Sequence, residues 1–302
     1  MPFPSSGPGP LFRIVHTTDF SAPSQIAFIH ALKLALAAGA ELDLLHVSPK
    51  TGGADWAEFP GVRETLHRWG VLPKHPAPAA LGESGLRIGK IVTVASDPTR
   101  AALEYVGGHA TELVVLATHQ RRGVDRWLHK ATAEPIARES GAMTLFLPDR
   151  GRGFVSPDTG GVSLQRILVP IDHAPAPQAA VETVDALVKG LGCWGGTAWL
   201  LHIGEERAMP EVRVPNPGAC RWELTARPGD PVDEIVATAT AWAADLIVMT
   251  TQGHAGVLDA LRGSTTERIL RQAPCPVLAV PAGSRAMRRL FSGAGEAVTG
   301  KG

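Results

Sequence analysis

The residues best suited to chemistry lie in Thr250-Thr-Gln-Gly253-His-Ala-Gly256-Val-Leu-Asp-Ala-Leu-Arg-Gly263-Ser264-Thr265-Thr266-Glu267. Glycine lets a backbone approach a ligand closely, and the free amides at a helix start favour a phosphate. The Ser264 and Thr265 hydroxyls could add hydrogen bonds. Ser264-x-x-Glu267 also has the form of a capping box before a helix predicted from about Thr265 to Gln272. Alone, Gly-Ser ahead of a helix is more often only a cap. The second group of interest is Asp172, which ends the apolar run Arg166-Ile-Leu-Val-Pro-Ile.

Other chemistries lack their residues. There is no G-x-x-x-x-G-K-[ST] loop for P-loop phosphoryl transfer, no G-x-S-x-G elbow and no H-E-x-x-H pair. Cys193, Cys220 and Cys275 have neither metal-ligand spacing nor an even count, so they suggest a reducing compartment and no disulfide framework. His46 and His202 recur in equivalent contexts, which suits packing or hydrogen bonding beside a sheet better than catalysis. His254 has no visible partner for general-base work, and Asp259 and Arg262 suit a solvated surface. Neither a catalytic residue nor a metal ligand is expected.

What must position these residues is a unit that occurs twice. Arg13-Ile-Val-His-Thr-Thr-Asp19 and Leu44-Leu45-His46-Val47 reappear as Arg166 to Asp172 and Leu200-Leu201-His202-Ile203, 153 and 156 positions later. Asp97-Pro98 reappears as Asp230-Pro231, Leu113 to Gln120 as Leu246 to Gly253, and Ser140 to Pro148 as Ala273 to Pro281, all at 133. Five colinear matches indicate a tandem duplication. The change of offset gives the first copy about 23 extra residues between its second and third strands, within 49–89. This insert carries a short amphipathic run from Glu58 to Trp69. The second copy crosses the same gap in Gly204 to Ala219, with little room for a helix.

Each copy alternates near-continuous apolar runs of strand length with helical periodicity, as in Val181, Val184, Leu187, Val188 and Leu191. Continuous rather than alternating hydrophobicity suits parallel strands covered on both faces. The fold class is therefore α/β, two doubly wound five-stranded parallel sheets. In such sheets ligands bind beyond the carboxyl ends of the strands where the winding reverses, between strands one and four. That places Asp172 beside the turn that begins at Thr250.

Composition excludes several partners. The 29 basic and 29 acidic residues balance, so no basic field attracts nucleic acid or an anionic membrane. Aromatics at 5% argue against a single-strand stacking platform. No apolar run is long enough to span a bilayer. Residues 1–10 read as a loose leader without signal-peptide features, making the cytoplasm the expected location. Residues 150–163 have linker composition, and 283–302 form a polar tail with a turn near Met287 to Phe291.

The strand-one Asp, the Leu-Leu-His-Val/Ile strand, the glycine loop and the closing Pro-Cys-Pro-Val-Leu-Ala-Val together resemble the universal stress protein family. The resemblance covers residues 11–149 and 164–282. The family's loop is usually G-x-x-G, nine residues, then G-S or G-T. Gly253 and Gly263-Ser264 fit, whereas Thr250 departs from the first glycine, where its backbone could serve at negative φ. The resemblance implies that Asp172 contacts adenine or ribose and that Pro170 and Ile203 line the base pocket. Gly253, Gly263, Ser264 and Thr265 would hold ribose and phosphates, with Thr250 at the start of the loop. The implied ligand is ATP or a related adenine nucleotide, with or without Mg2+.

The first copy differs where it matters. Ala117, Gln120 and Lys130 replace the three loop positions, Ala131 replaces the hydroxyl, and Pro135 removes an amide. Arg121, Arg122, Arg126 and Lys130 suit a solvated loop. Asp19 persists, but an Asp at a strand end often only turns the chain. Family members pair through the last strand, so Thr144-Leu-Phe-Leu and Val277-Leu-Ala-Val are expected to join in an internal pseudo-dimer; a homodimer of chains stays open. The expected role is a sensor or adaptor with slow hydrolysis at most and an unidentified protein partner. The alternatives are a nucleotide-independent interaction scaffold and a weak ATP hydrolase.

Overall fold

Each apolar run becomes a strand of one ten-stranded sheet in the computed structural model, which describes residues 12–49, 56–74, 85–118, 140–149, 151, 153–252 and 265–292. The first copy contains β1 (Arg13–Thr17), α1 (Ala22–Ala38), β2 (Glu41–Ser48), α2 (Val62–Arg68), β3 (Arg87–Val94), α3 (Pro98–Gly108), β4 (Leu113–Thr118) and β5 (Met143–Pro148). The second contains β6 (Arg166–Ile171), α4 (Gln178–Gly190), β7 (Thr197–Ile203), β8 (Arg221–Arg227), α5 (Pro231–Ala241), β9 (Leu246–Thr251), α6 (Thr265–Leu270) and β10 (Val277–Pro281). A last helix, α7, spans Ala286–Ser292 where a turn was expected.

The order β3-β2-β1-β4-β5-β10-β9-β6-β7-β8 makes each half 3-2-1-4-5, with the winding reversing at β1/β4 and at β6/β9. Pairing within each half is parallel. The halves meet through an antiparallel β5–β10 ladder, Val277 opposite Phe146, Leu278 opposite Leu145 and Ala279 opposite Thr144. The expected internal pseudo-dimer is therefore present. Joining these edges removes two apolar strands from exposure.

Local chemistry fixes the elements. Asp97 and Asp230 accept from the amides two and three residues on, and Pro98 and Pro231 open the helices, where a missing amide costs nothing. Gly39 ends α1 in the left-handed region at φ 61°. One sheet face packs under α1 and α4 around Phe28, Leu32, Val181 and Val184, with Met287 and Leu290 of α7 in the same core. The other packs under α3, α5 and α6 around Val106, Ile235 and Ile269. Both cores run across the seam.

Residues 153–163 of the segment of linker composition are folded. Ser163 N–H donates to the Phe154 carbonyl at 2.8 Å and Ser156 N–H to Gly161 at 2.8 Å, around a Val155–Val162 bridge. Phe154 is 1% exposed and sits edge-on to His30 at 4.6 Å. His30 of α1 faces the Ile26 carbonyl with Nδ1, at 2.8 Å, and accepts at Nε2 from the amides of Phe154 (2.9 Å) and Val155 (3.2 Å). Nδ1 therefore carries the proton. Burial pushes His30 down to about 4. The insert braces the same strap: Trp69, just past α2, donates Nε1–H to the Pro157 carbonyl at 3.0 Å. Its indole occupies the space a Cβ on Gly160 would need, and Gly160 is left-handed at φ 65°.

Candidate nucleotide site

In the second copy the mouth at the winding reversal is built from the ends of β6, β7 and β9, with Ile167–Leu246 and Leu168–Ile247 pairing the two switch strands. Asp172 follows β6 and is exposed; its Oδ1 accepts the amide of His173 at 2.7 Å. Pro170 and Ile203 are half-buried at the same end of the sheet. Side chains alternate along a strand, so Pro170 follows Leu168 onto the α5/α6 face, where Ile203 also packs. The two residues expected to floor a base therefore share one face, one strand apart.

Thr250 lies inside β9 and faces the other way, in step with Val248 on the α4 side. It is 9% exposed and its Oγ1 has no hydrogen-bond partner among the described residues. Its backbone is extended, so a side chain is tolerated where the family usually has glycine. The structure thus separates the Thr250 hydroxyl from Pro170 and Ile203, leaving only its backbone at the mouth. Thr265 is exposed and opens α6. Gly253, Gly263 and Ser264 lie outside the described residues, as do His254, Asp259 and Arg262.

The two strand-two histidines make the same structural bond. His46 Nδ1 lies 2.8 Å from the Thr18 carbonyl and His202 Nδ1 lies 3.3 Å from that of Ile171. Each ties the end of strand two to the end of strand one. This is the packing role expected of them.

The first copy spends its equivalent groups differently. Asp19 Oδ1 accepts both the amide (3.0 Å) and the hydroxyl (2.6 Å) of Ser21, whose side chain caps α1. Thr17 stands in place of Pro170, Val47 in place of Ile203 and Ala117 in place of Thr250. Phe20 stacks on His46 at 4.2 Å and meets Phe59 of the insert edge-on at 5.3 Å. Gln120, Arg121, Arg122, Arg126, Lys130, Ala131 and Pro135 lie outside the described residues.

Two features were not anticipated from sequence. Arg227 ends β8 in register with Ile203, a position readable only once the strand alignment is known. His16, wholly buried in β1, places Nδ1 2.9 Å from the Val115 carbonyl of β4, and burial pushes it down to about 4. An unbroken apolar run interrupted by one histidine was the available signal.

The model of the universal stress protein family matches residues 11–148 and 205–281. A universal stress protein of Methanocaldococcus jannaschii is 50% identical over 90 residues, 30% of this chain and 53% of that relative, so the match spans about half its length. Among solved structures, a universal stress protein from Archaeoglobus fulgidus covers 90% of this chain and 97% of its own at 20% identity and TM-score 0.61. A putative universal stress protein from Pseudomonas aeruginosa covers 94% and 98% at 13% identity and TM-score 0.56. These structural likenesses speak to the fold, and the two family-model matches, covering well over half the residues, speak to descent. The chain belongs to the universal stress protein family.

Proposed function

We propose that the second copy, residues 164–282, binds ATP or a related adenine nucleotide, with or without Mg2+ on its phosphates. The chain would act as a ligand-gated sensor or adaptor in the cytoplasm. The observation that carries this reading is the contrast at the strand-one carboxylate. Both carboxylates are exposed, but Asp19 Oδ1 accepts twice from Ser21, the cap of α1, whereas Asp172 Oδ1 accepts the neighbouring amide of His173 and lies at the winding reversal beside an apolar floor of Pro170 and Ile203. A base needs an apolar surface and a few convergent polar groups, and this mouth offers both. Gly253, Gly263, Ser264 and Thr265 are the residues assigned to ribose and phosphates.

The first copy, residues 11–149, serves in this reading as the structural partner. Mass spectrometry of nucleotide released from protein purified without added ligand is expected to find an adenine nucleotide. Calorimetry with ATP is expected to lose its signal in Gly263→Lys, which copies Lys130 of the first copy. A wild-type chain that binds no adenine nucleotide at millimolar ATP would leave the scaffold reading in its place.

A further inference from the structure

The mouth of the second copy has a third wall beyond β6 and β7. Ile203 and Arg227 are register partners on β7 and β8, and parallel partners present their side chains on the same face. Arg227 confirms that direction, for its guanidinium reaches Glu234 of α5, on the face where Ile203 packs. That ion pair is loose, 4.0 Å, with the Arg227 side chain 45% exposed, so the guanidinium keeps donors to spare. Adjacent strands lie roughly 4.8 Å apart. A planar base resting on Ile203 would therefore have the strand bearing Asp172 one step to one side and the strand bearing Arg227 one step to the other.

We propose that Arg227 is a specificity-determining residue of this site, donating to the ring-nitrogen acceptors of a purine base or stacking on its face. The assignment rests on the nucleotide reading above. A carboxylate accepts only and a guanidinium donates only. Asp172 and Arg227 thus offer opposite hydrogen-bonding characters to the two sides of one ligand. Adenosine, with its amino and ribose hydroxyl donors and its ring-nitrogen acceptors, answers both. The first copy has Thr93 at this place, opposite Val47, and so lacks the cation.

Calorimetry on the full chain with ATP, CTP and inorganic tripolyphosphate tests the assignment, using wild type, Arg227→Ala and Arg227→Lys. Arg227→Ala is expected to weaken ATP about tenfold and to narrow the preference of ATP over CTP, leaving tripolyphosphate unchanged. Arg227→Lys keeps the charge but not the planar fork and should fall between. Thermal unfolding confirms that each variant is folded, as expected for an exposed residue. Equal losses for ATP and tripolyphosphate would make Arg227 a general electrostatic contributor and overturn the base assignment. Wild-type ATP binding that is unchanged in Arg227→Ala overturns the assignment alone. A wild type that binds no nucleotide overturns the nucleotide reading and the assignment with it.

Discussion

Asp19 and Asp172 end the same strand of the same repeat and are both exposed, yet Asp19 Oδ1 accepts twice from Ser21, the cap of α1, while Asp172 Oδ1 accepts the amide of His173 at the mouth. The divergence extends along the second strand. Asp43 of β2 is 2% exposed and is held by Arg13 at 2.6 Å and by the Tyr105 hydroxyl at 2.8 Å; Glu41 takes the other arm of Arg13 at 2.9 Å. Burial and the Asp43 carboxylate push the Tyr105 hydroxyl up to about 12. The matching residue of β7 is Trp199, which stacks on Trp242 at 4.5 Å, nearly parallel at 7°, with Glu223 accepting from its indole. One backbone thus carries two solutions to the same covered position. The first copy buries a carboxylate against Arg13 and Tyr105 there, and the second fills the place with a stacked indole.

Acid should separate the copies most strongly. His16 and His30 both belong to the first copy and are neutral when folded, whereas the position of His16 in the second is Val169. A base whose folded pKa lies below its unfolded value of 6.5 contributes full stability above that pH. The contribution is lost as pH falls from 6.5 to about 4, by on the order of 3 kcal/mol for each histidine. Hydrogen exchange resolved to each copy, at pH 7 and pH 4, should show the first copy and the His30 strap opening first. Equal opening in both copies would break the contrast.

Next in size is Asp43→Asn, which removes the charge facing Arg13 and should cost about 3 kcal/mol. Urea unfolding should show the loss, and it should not weaken ATP binding in the second copy. Gly160→Ala forces a Cβ against Trp69 from a left-handed backbone and should cost about 1–2 kcal/mol, read as a lower thermal midpoint. An unchanged midpoint would mean that the insert does not brace the strap. The smallest and sharpest test pairs Asp172→Asn with Asp19→Asn. The first should weaken ATP about tenfold, and the second should leave ATP affinity unchanged. Equal effects would erase the distinction between the copies.

Much of the fold was legible because its signals are local or repeated. The runs Ile167 to Ile171 and Leu246 to Met249 declare buried parallel strands, and the repeat fixes their order. The seam at Thr144 to Leu147 and Val277 to Val280 came from the family resemblance and not from a local signal. The strap was illegible because its anchors are distant. Phe154 is one aromatic in a glycine-rich stretch, and its partner His30 lies 124 positions earlier. Nothing in local spacing links Trp69 to Gly160. At the site, Asp172, Pro170 and Ile203 could be named from motif, but the inward turn of Thr250 follows from strand alternation, and Arg227 needs the β7–β8 register. Local periodicity carries neither.

The antiparallel seam has a geometric result. Because β5 and β10 run in opposite directions, the carboxyl ends of the strands in one half open toward one rim of the sheet and those of the other half toward the opposite rim. A molecule seated at Asp172 and a molecule touching the loop beyond β4 would approach from opposite sides and would not crowd each other. In the reading proposed above, a nucleotide at Asp172 would therefore sit on the rim of the sheet opposite the end of β4.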